Sequence, residues 1–111
     1  MTREFVELPE FQSNWKDLGQ SEEELRALQN FIAEKPDASR IIQGTAGLRK
    51  LRWGREEKQS GKRGGVRIIY LDVPEKGKNF FITVFGKDEK ADLTEPEKAV
   101  LKALTKKLLS L

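Results

Sequence analysis

Three basic side chains stand where a phosphate could be held. Lys50 and Arg52 lie two residues apart in LRKLRW (48–53), and Arg67 opens VRIIYLD (66–72). Both segments read as strands, the first by alternation, the second by its β-branched and aromatic content. Residues two apart on a strand share a face, so Lys50 and Arg52 point together. Arg49, Leu51 and Trp53 then point the other way. Arg67 can face Lys50 and Arg52 if the register allows. Lys87 follows a third segment, FFITVFG (80–86), and adds a fourth cation. Cations gathered from three segments could stabilise the charge that builds on a transferring phosphoryl group. The tip between the first two segments, GREEKQSGKRGG (54–65), carries Lys62, Arg63, Gly64 and Gly65. Its glycines would let the backbone approach a phosphate closely. Arg49 and Lys90 extend this basic set.

Charge placement supports the same reading. Residues 44–70 hold eight Lys or Arg and two acids, a net of +6 within a chain of net +3. Residues 1–43 hold five cations and nine acids, and residues 71–111 eight cations and seven acids. A concentrated positive zone suits a phosphate-rich partner. The plainer alternative is a solvated face with no partner.

Composition excludes much chemistry. The chain has no histidine, so a His general base, a Ser-His-Asp triad, a His zinc site and a two-His ribonuclease are impossible. It has no cysteine, which removes disulfides and thiolate metal sites and fits a reducing cytoplasm. No apolar run approaches the ~20 residues that span a bilayer. MTREFVELPE lacks the pattern of a secretory signal, so no membrane role is expected. Nothing matches a P-loop, an EF-hand or a dinucleotide fingerprint.

The elements that must position the cations follow from periodicity. REFVEL (3–8) suits a short strand. Phe11, Trp15 and Leu18 form one helical stripe that Gly19 stops. Ser21 and Glu24 have capping-box spacing, and Leu25, Leu28, Phe31 and Ile32 give the next helix its buried face. Pro36 ends that helix near Lys35. PEKGKN (74–79) is a turn, and FFITVFG is apolar on both faces, as a central strand should be. Thr94, Pro96 and Glu97 begin a last helix with Leu101, Leu104, Leu108 and Leu111 on its stripe. The order β-α-α-β-β-β-α predicts a single α+β domain over 1–111. It comprises a small antiparallel sheet, a helical hairpin on one face and a C-terminal helix. Trp53, Tyr70, Phe80 and Phe81 read as core rather than as base-stacking platforms.

Three blocks carry a resemblance: IIQGTAGLRKLRW (41–53), SGKRGGVRIIY (60–70) and VFGKDEKADLT (84–94). In order and spacing they resemble the RelE/ParE superfamily of bacterial type II toxins, specifically the HigB-like branch. The resemblance covers nearly the whole chain. It implies a metal-independent endoribonuclease that enters the ribosomal A site and cuts the mRNA codon there. It also implies neutralisation by a cognate antitoxin, HigA-like, with a helix-turn-helix domain. The family's catalytic basic residues fall on Lys50, Arg52, Arg67 and Lys87, and the branch's basic tip on Lys62 and Arg63. The sequence departs from the family at Phe85 and near Thr94, where relatives use tyrosine. It departs again at Asp88, where some have arginine, and at Ala46, where the branch often has glycine.

RNA brings its own nucleophile, the 2′-hydroxyl. In-line geometry, proton removal and charge stabilisation remain for the protein. Arg52 and Arg67 suit the phosphate oxygens, Lys50 the base, and Lys87 the leaving oxygen. Two other functions share these residues: a ParE-like gyrase poison and an RNA-binding module that does not cut.

Overall fold

The computed structural model describes residues 3–54, 65–86 and 92–111. Its centre is an antiparallel hairpin of β4 (Val66–Val73) and β5 (Lys78–Gly86). A 3₁₀ turn at Pro74–Lys76 joins them, and Gly77 reverses the chain at φ 64°. Both strands are buried on both faces over most of their length. β3 (Arg49–Trp53) pairs antiparallel with β4, and the two-residue β2 (Arg40–Ile41) extends the sheet beyond β3. β1 (Glu4–Glu7) lies on the far edge beside β5, giving the order β1-β5-β4-β3-β2.

The expected α+β architecture stands, with one addition, β2, and one correction: the sheet is mixed rather than wholly antiparallel. β2 is too short to show a period. β1 runs parallel to β5, because no hairpin joins the two and hairpin logic does not reach an edge strand from elsewhere in the chain.

Helix α1 (Pro9–Asp17) starts on Pro9 and yields to Gly19 at φ 76°. Helix α2 (Glu22–Glu34) starts where Ser21 Oγ accepts the Glu24 N–H at 3.1 Å. Together they bury Phe11, Trp15, Leu25, Leu28 and Ile32 against Val66, Ile68, Tyr70, Phe81 and Val84. Phe11 meets the Phe81 ring edge-on at 5.0 Å. Helix α3 (Glu95–Leu109) opens with the full Thr94–Glu97 capping box. Its Leu101, Leu104 and Leu108 pack on the opposite face, with Ile69, Leu71, Phe80, Ile82 and Phe85. Leu111 falls past the end of α3 and is 76% exposed, so it is not part of that stripe. Among the described residues no helix is long and apolar enough to cross a membrane.

The aromatic residues resolve as core. Tyr70, Phe80 and Phe81 are buried, and Tyr70 donates its hydroxyl to the Pro36 carbonyl at 2.9 Å. Trp53 packs on Phe31, and its indole N–H donates to Glu24 Oε1 at 3.2 Å.

A bulge in β5 matters to the site. Ile69 pairs with Thr83 but Tyr70 pairs with Phe81, so Ile82 has no partner. One extra residue inverts the alternation of everything beyond it. Phe80 and Ile82 face α3, and Phe85, of opposite parity, does so too. The Val84 carbonyl beside the bulge accepts from Asn14 Nδ2 on α1 at 3.2 Å.

Candidate functional site

The α3 side of the sheet also carries the cations. In the β3–β4 ladder Arg52 stands directly opposite Arg67, Lys50 stands opposite Ile69, and Arg67 in turn faces Phe85 on β5. Lys50, Arg52 and Arg67 therefore share one face at one end of the sheet, as period-2 geometry requires. Like charges directly opposite destabilise a sheet pair, so the fold does not place them there for its own benefit.

The three differ in setting. Arg52 is exposed. Arg67 is half-buried, and its Nη1 is enclosed with no hydrogen-bond partner among the described residues. Burial first, and Arg52 second, push the Arg67 guanidinium below the ordinary arginine range, while Asp92 pulls it back up. An arginine with that handicap remains a cation, and its spare donor points to an anion that would complete it.

Lys50 is partnered. Its Nζ lies 3.1 Å from Asp92 Oδ1, with the lysine side chain 23% exposed and the aspartate 57%. The same Oδ1 accepts the Leu93 N–H at 2.8 Å. That hydrogen bond is the main reason the Asp92 carboxyl sits below the usual carboxylate range; Lys50 adds to it. Asp92 thus reaches from the α3 side to the Lys50 ammonium on β3. Asp92 was not a sequence candidate. It touches Lys50 only because α3 folds back over the sheet, and nothing local in KADLT signals that.

Arg49 does not join this face. It stands opposite Tyr70, and its guanidinium donates to the Ser39 carbonyl, bracing the segment before β2. Gly65 also has a structural task. At φ 73° a Cβ there would lie 2.1 Å from the Trp53 carbonyl oxygen, so only glycine lets the two strands meet at the neck of the tip. Lys62, Arg63, Gly64, Lys87, Asp88 and Lys90 lie outside the described residues.

The fold and this basic face define a small α+β protein with cations gathered on one sheet face. Residues 19–111 match the model of the RelE toxin of the RelE/RelB toxin–antitoxin system. The chain belongs to the RelE toxin family. Its structure is similar to that of the free Escherichia coli toxin RelE carrying two arginine-to-alanine substitutions. The TM-score is 0.59 at 17% identity, over 96% of this chain and 98% of that one. At that identity the likeness bears on the fold.

Proposed function

We propose that this toxin is a ribosome-dependent mRNA interferase of the HigB-like branch, cutting the A-site codon through attack of the RNA 2′-hydroxyl. The observation that carries the reading is the facing pair Arg52–Arg67 beside Lys50, with one Arg67 nitrogen buried and unpartnered among the described residues. Arg52 and Arg67 clamp the non-bridging phosphate oxygens, since a guanidinium offers paired donors. Lys50 adds positive charge to the phosphorane, and the 2′ proton passes to solvent water as the 2′-oxygen–phosphorus bond forms and the phosphorus–5′-oxygen bond breaks. Lys87 serves the leaving oxygen, and Lys62, Arg63, Gly64 and Lys90 meet ribosomal RNA. The ribosome supplies the orientation that such a spare catalyst lacks. No metal enters this scheme. A cognate antitoxin, HigA-like with a helix-turn-helix domain, silences the toxin in the cytoplasm.

The test is brief expression followed by mapping of new mRNA 5′ ends, with and without a translation inhibitor. In-frame cuts that vanish with translation are expected, and Arg67→Ala should remove them. DNA damage without cuts would point to gyrase instead, and neither effect would leave a module that binds RNA without cutting.

A further inference from the structure

We propose that Asp92 is a positioning residue: its carboxylate holds the Lys50 ammonium beside the Arg52–Arg67 pair and acts on cleavage through Lys50. The catalytic half of this inference rests on the reading just given; the pairing itself does not.

A lysine ammonium rides on a flexible four-carbon stem that loses rotamer entropy when fixed. On this face its neighbours are cations, which repel it toward solvent. A fixed anion is what keeps Nζ in place. Asp92 is such an anion, because its own backbone is held. Leu93, the next residue, is buried in the cluster that contains Leu108. Thr94 then caps α3 through both arms of the capping box. The Leu93 N–H orients Oδ1, the same oxygen that meets Lys50.

Stability does not account for this pair. An ion pair this exposed contributes little to stability, because solvent screens it. A carboxylate next to a phosphate site also repels the substrate, a penalty that only a gain in geometry would offset. Asp92 lies near enough to Arg67 to act on it electrostatically as well. One anion from the α3 side is therefore set among the cations of β3 and β4.

Asp92→Asn tests the proposal without disturbing the fold, since the amide oxygen can still accept the Leu93 N–H. On translating ribosomes at saturation, codon cutting should fall by roughly tenfold or more. The ribosome concentration for half-maximal cutting should change little, a loss in turnover rather than in binding. Asp92→Glu should recover part of the rate. In a Lys50→Ala background, Asp92→Asn should add no further loss, because the two act as one unit. A readout independent of cleavage accompanies these: acetylation of Lys50 by limiting reagent, measured against exposed Lys102, should rise several-fold in Asp92→Asn as the amine is freed from its carboxylate and opened to the reagent. Undiminished cutting by Asp92→Asn, or losses that add with Lys50→Ala, would overturn the proposal. So would a Lys50 reactivity indifferent to Asp92. If the wild type cuts nothing, the cleavage reading falls, and the acetylation ratio alone decides the pairing.

Discussion

β4 carries an arginine near one end and an aspartate near the other, and the two are treated in opposite ways. Asp72 receives both Nε and Nη2 of Arg3, at 2.8 and 3.0 Å, and a third bond from Asn79 Nδ2 at 2.9 Å. The Arg3 and Asp72 side chains are only 4% and 10% exposed. Arg67, five residues earlier on the same strand, faces another arginine and keeps a buried nitrogen without a partner among the described residues. The first end is a clamp that ties the segment leading into β1 to the sheet. The second keeps its charge unspent. Where a fold leaves like charges opposed on a well-ordered strand, the reason lies outside the folding of the chain.

The largest way to break this comparison is to unbalance the clamp. Asp72→Ala takes the carboxylate from an enclosed guanidinium, that of Arg3. That should lower stability by about 3–5 kcal/mol in urea melts, whereas an apolar pair at both positions should cost far less. A loss of under about 1 kcal/mol, typical of a surface pair, would erase the contrast between the ends. The next largest effect belongs to the other end and should be read in rate. Arg52→Ala and Arg67→Ala should each reduce codon cutting by about 10²–10³-fold, the range found when one donor to developing charge is removed. Arg52 is exposed and opposed by a like charge, so its loss should leave the thermal midpoint unchanged or slightly higher. If Arg52→Ala melts markedly lower, that residue serves the fold, and the two ends are not so different.

The two regions also differ in how far the sequence revealed them. Alternation alone sets Lys50 and Arg52 apart from Leu51 and Trp53, because a strand has one period and both faces were populated. Capping residues marked α2 and α3 in the same way. The Arg52–Arg67 register was open, since a twelve-residue tip (54–65) does not dictate how its strands meet. The bulge at Ile82 left no mark in a strand that is apolar on both faces, yet it decides that Phe85 lies beside Arg67. The clamp was invisible for a different reason. Arg3 and Asp72 are 69 residues apart, and their meeting depends on a parallel edge strand that hairpin logic does not supply. Asp92 was hidden likewise, behind the packing of α3. Local pattern found the cations of the sheet face; the carboxylates that meet Arg3 and Lys50 are brought there by tertiary structure.

A smaller test alters stability on the strand that carries the cations without touching charge. Ala46 has φ 64°, the left-handed region that a side chain resists, in the loop that leads into β3. The neighbouring Thr45 is buried and bridges the Ile42 carbonyl to the Leu48 N–H, so the loop is held in that shape. That backbone conformation favours glycine over any residue with a Cβ. Ala46→Gly should raise stability by about 1 kcal/mol in a denaturant melt while cutting stays at the wild-type rate. A drop in stability would mean that the loop relaxes around alanine, and a change in rate would tie the loop to the site.

The smallest expected effect concerns pH. The Leu93 N–H, and Lys50 after it, hold the folded Asp92 carboxyl below the unfolded aspartate value of about 3.9. A group depressed on folding contributes stability that is complete above the unfolded value and is lost as pH falls through the folded one. The wild type should therefore gain on Asp92→Asn as pH rises from about 3 to 6, and the two melting curves should converge in acid. Because Asp92 is half exposed, added salt should narrow the gap. At the clamp, where both side chains are enclosed, the same salt should change the Asp72→Ala penalty far less. A gap between wild type and Asp92→Asn that ignores both pH and salt would show that Asp92 makes no charged contact with Lys50 in solution, and the distinction between a clamped end and a poised one would then rest on the arginines alone.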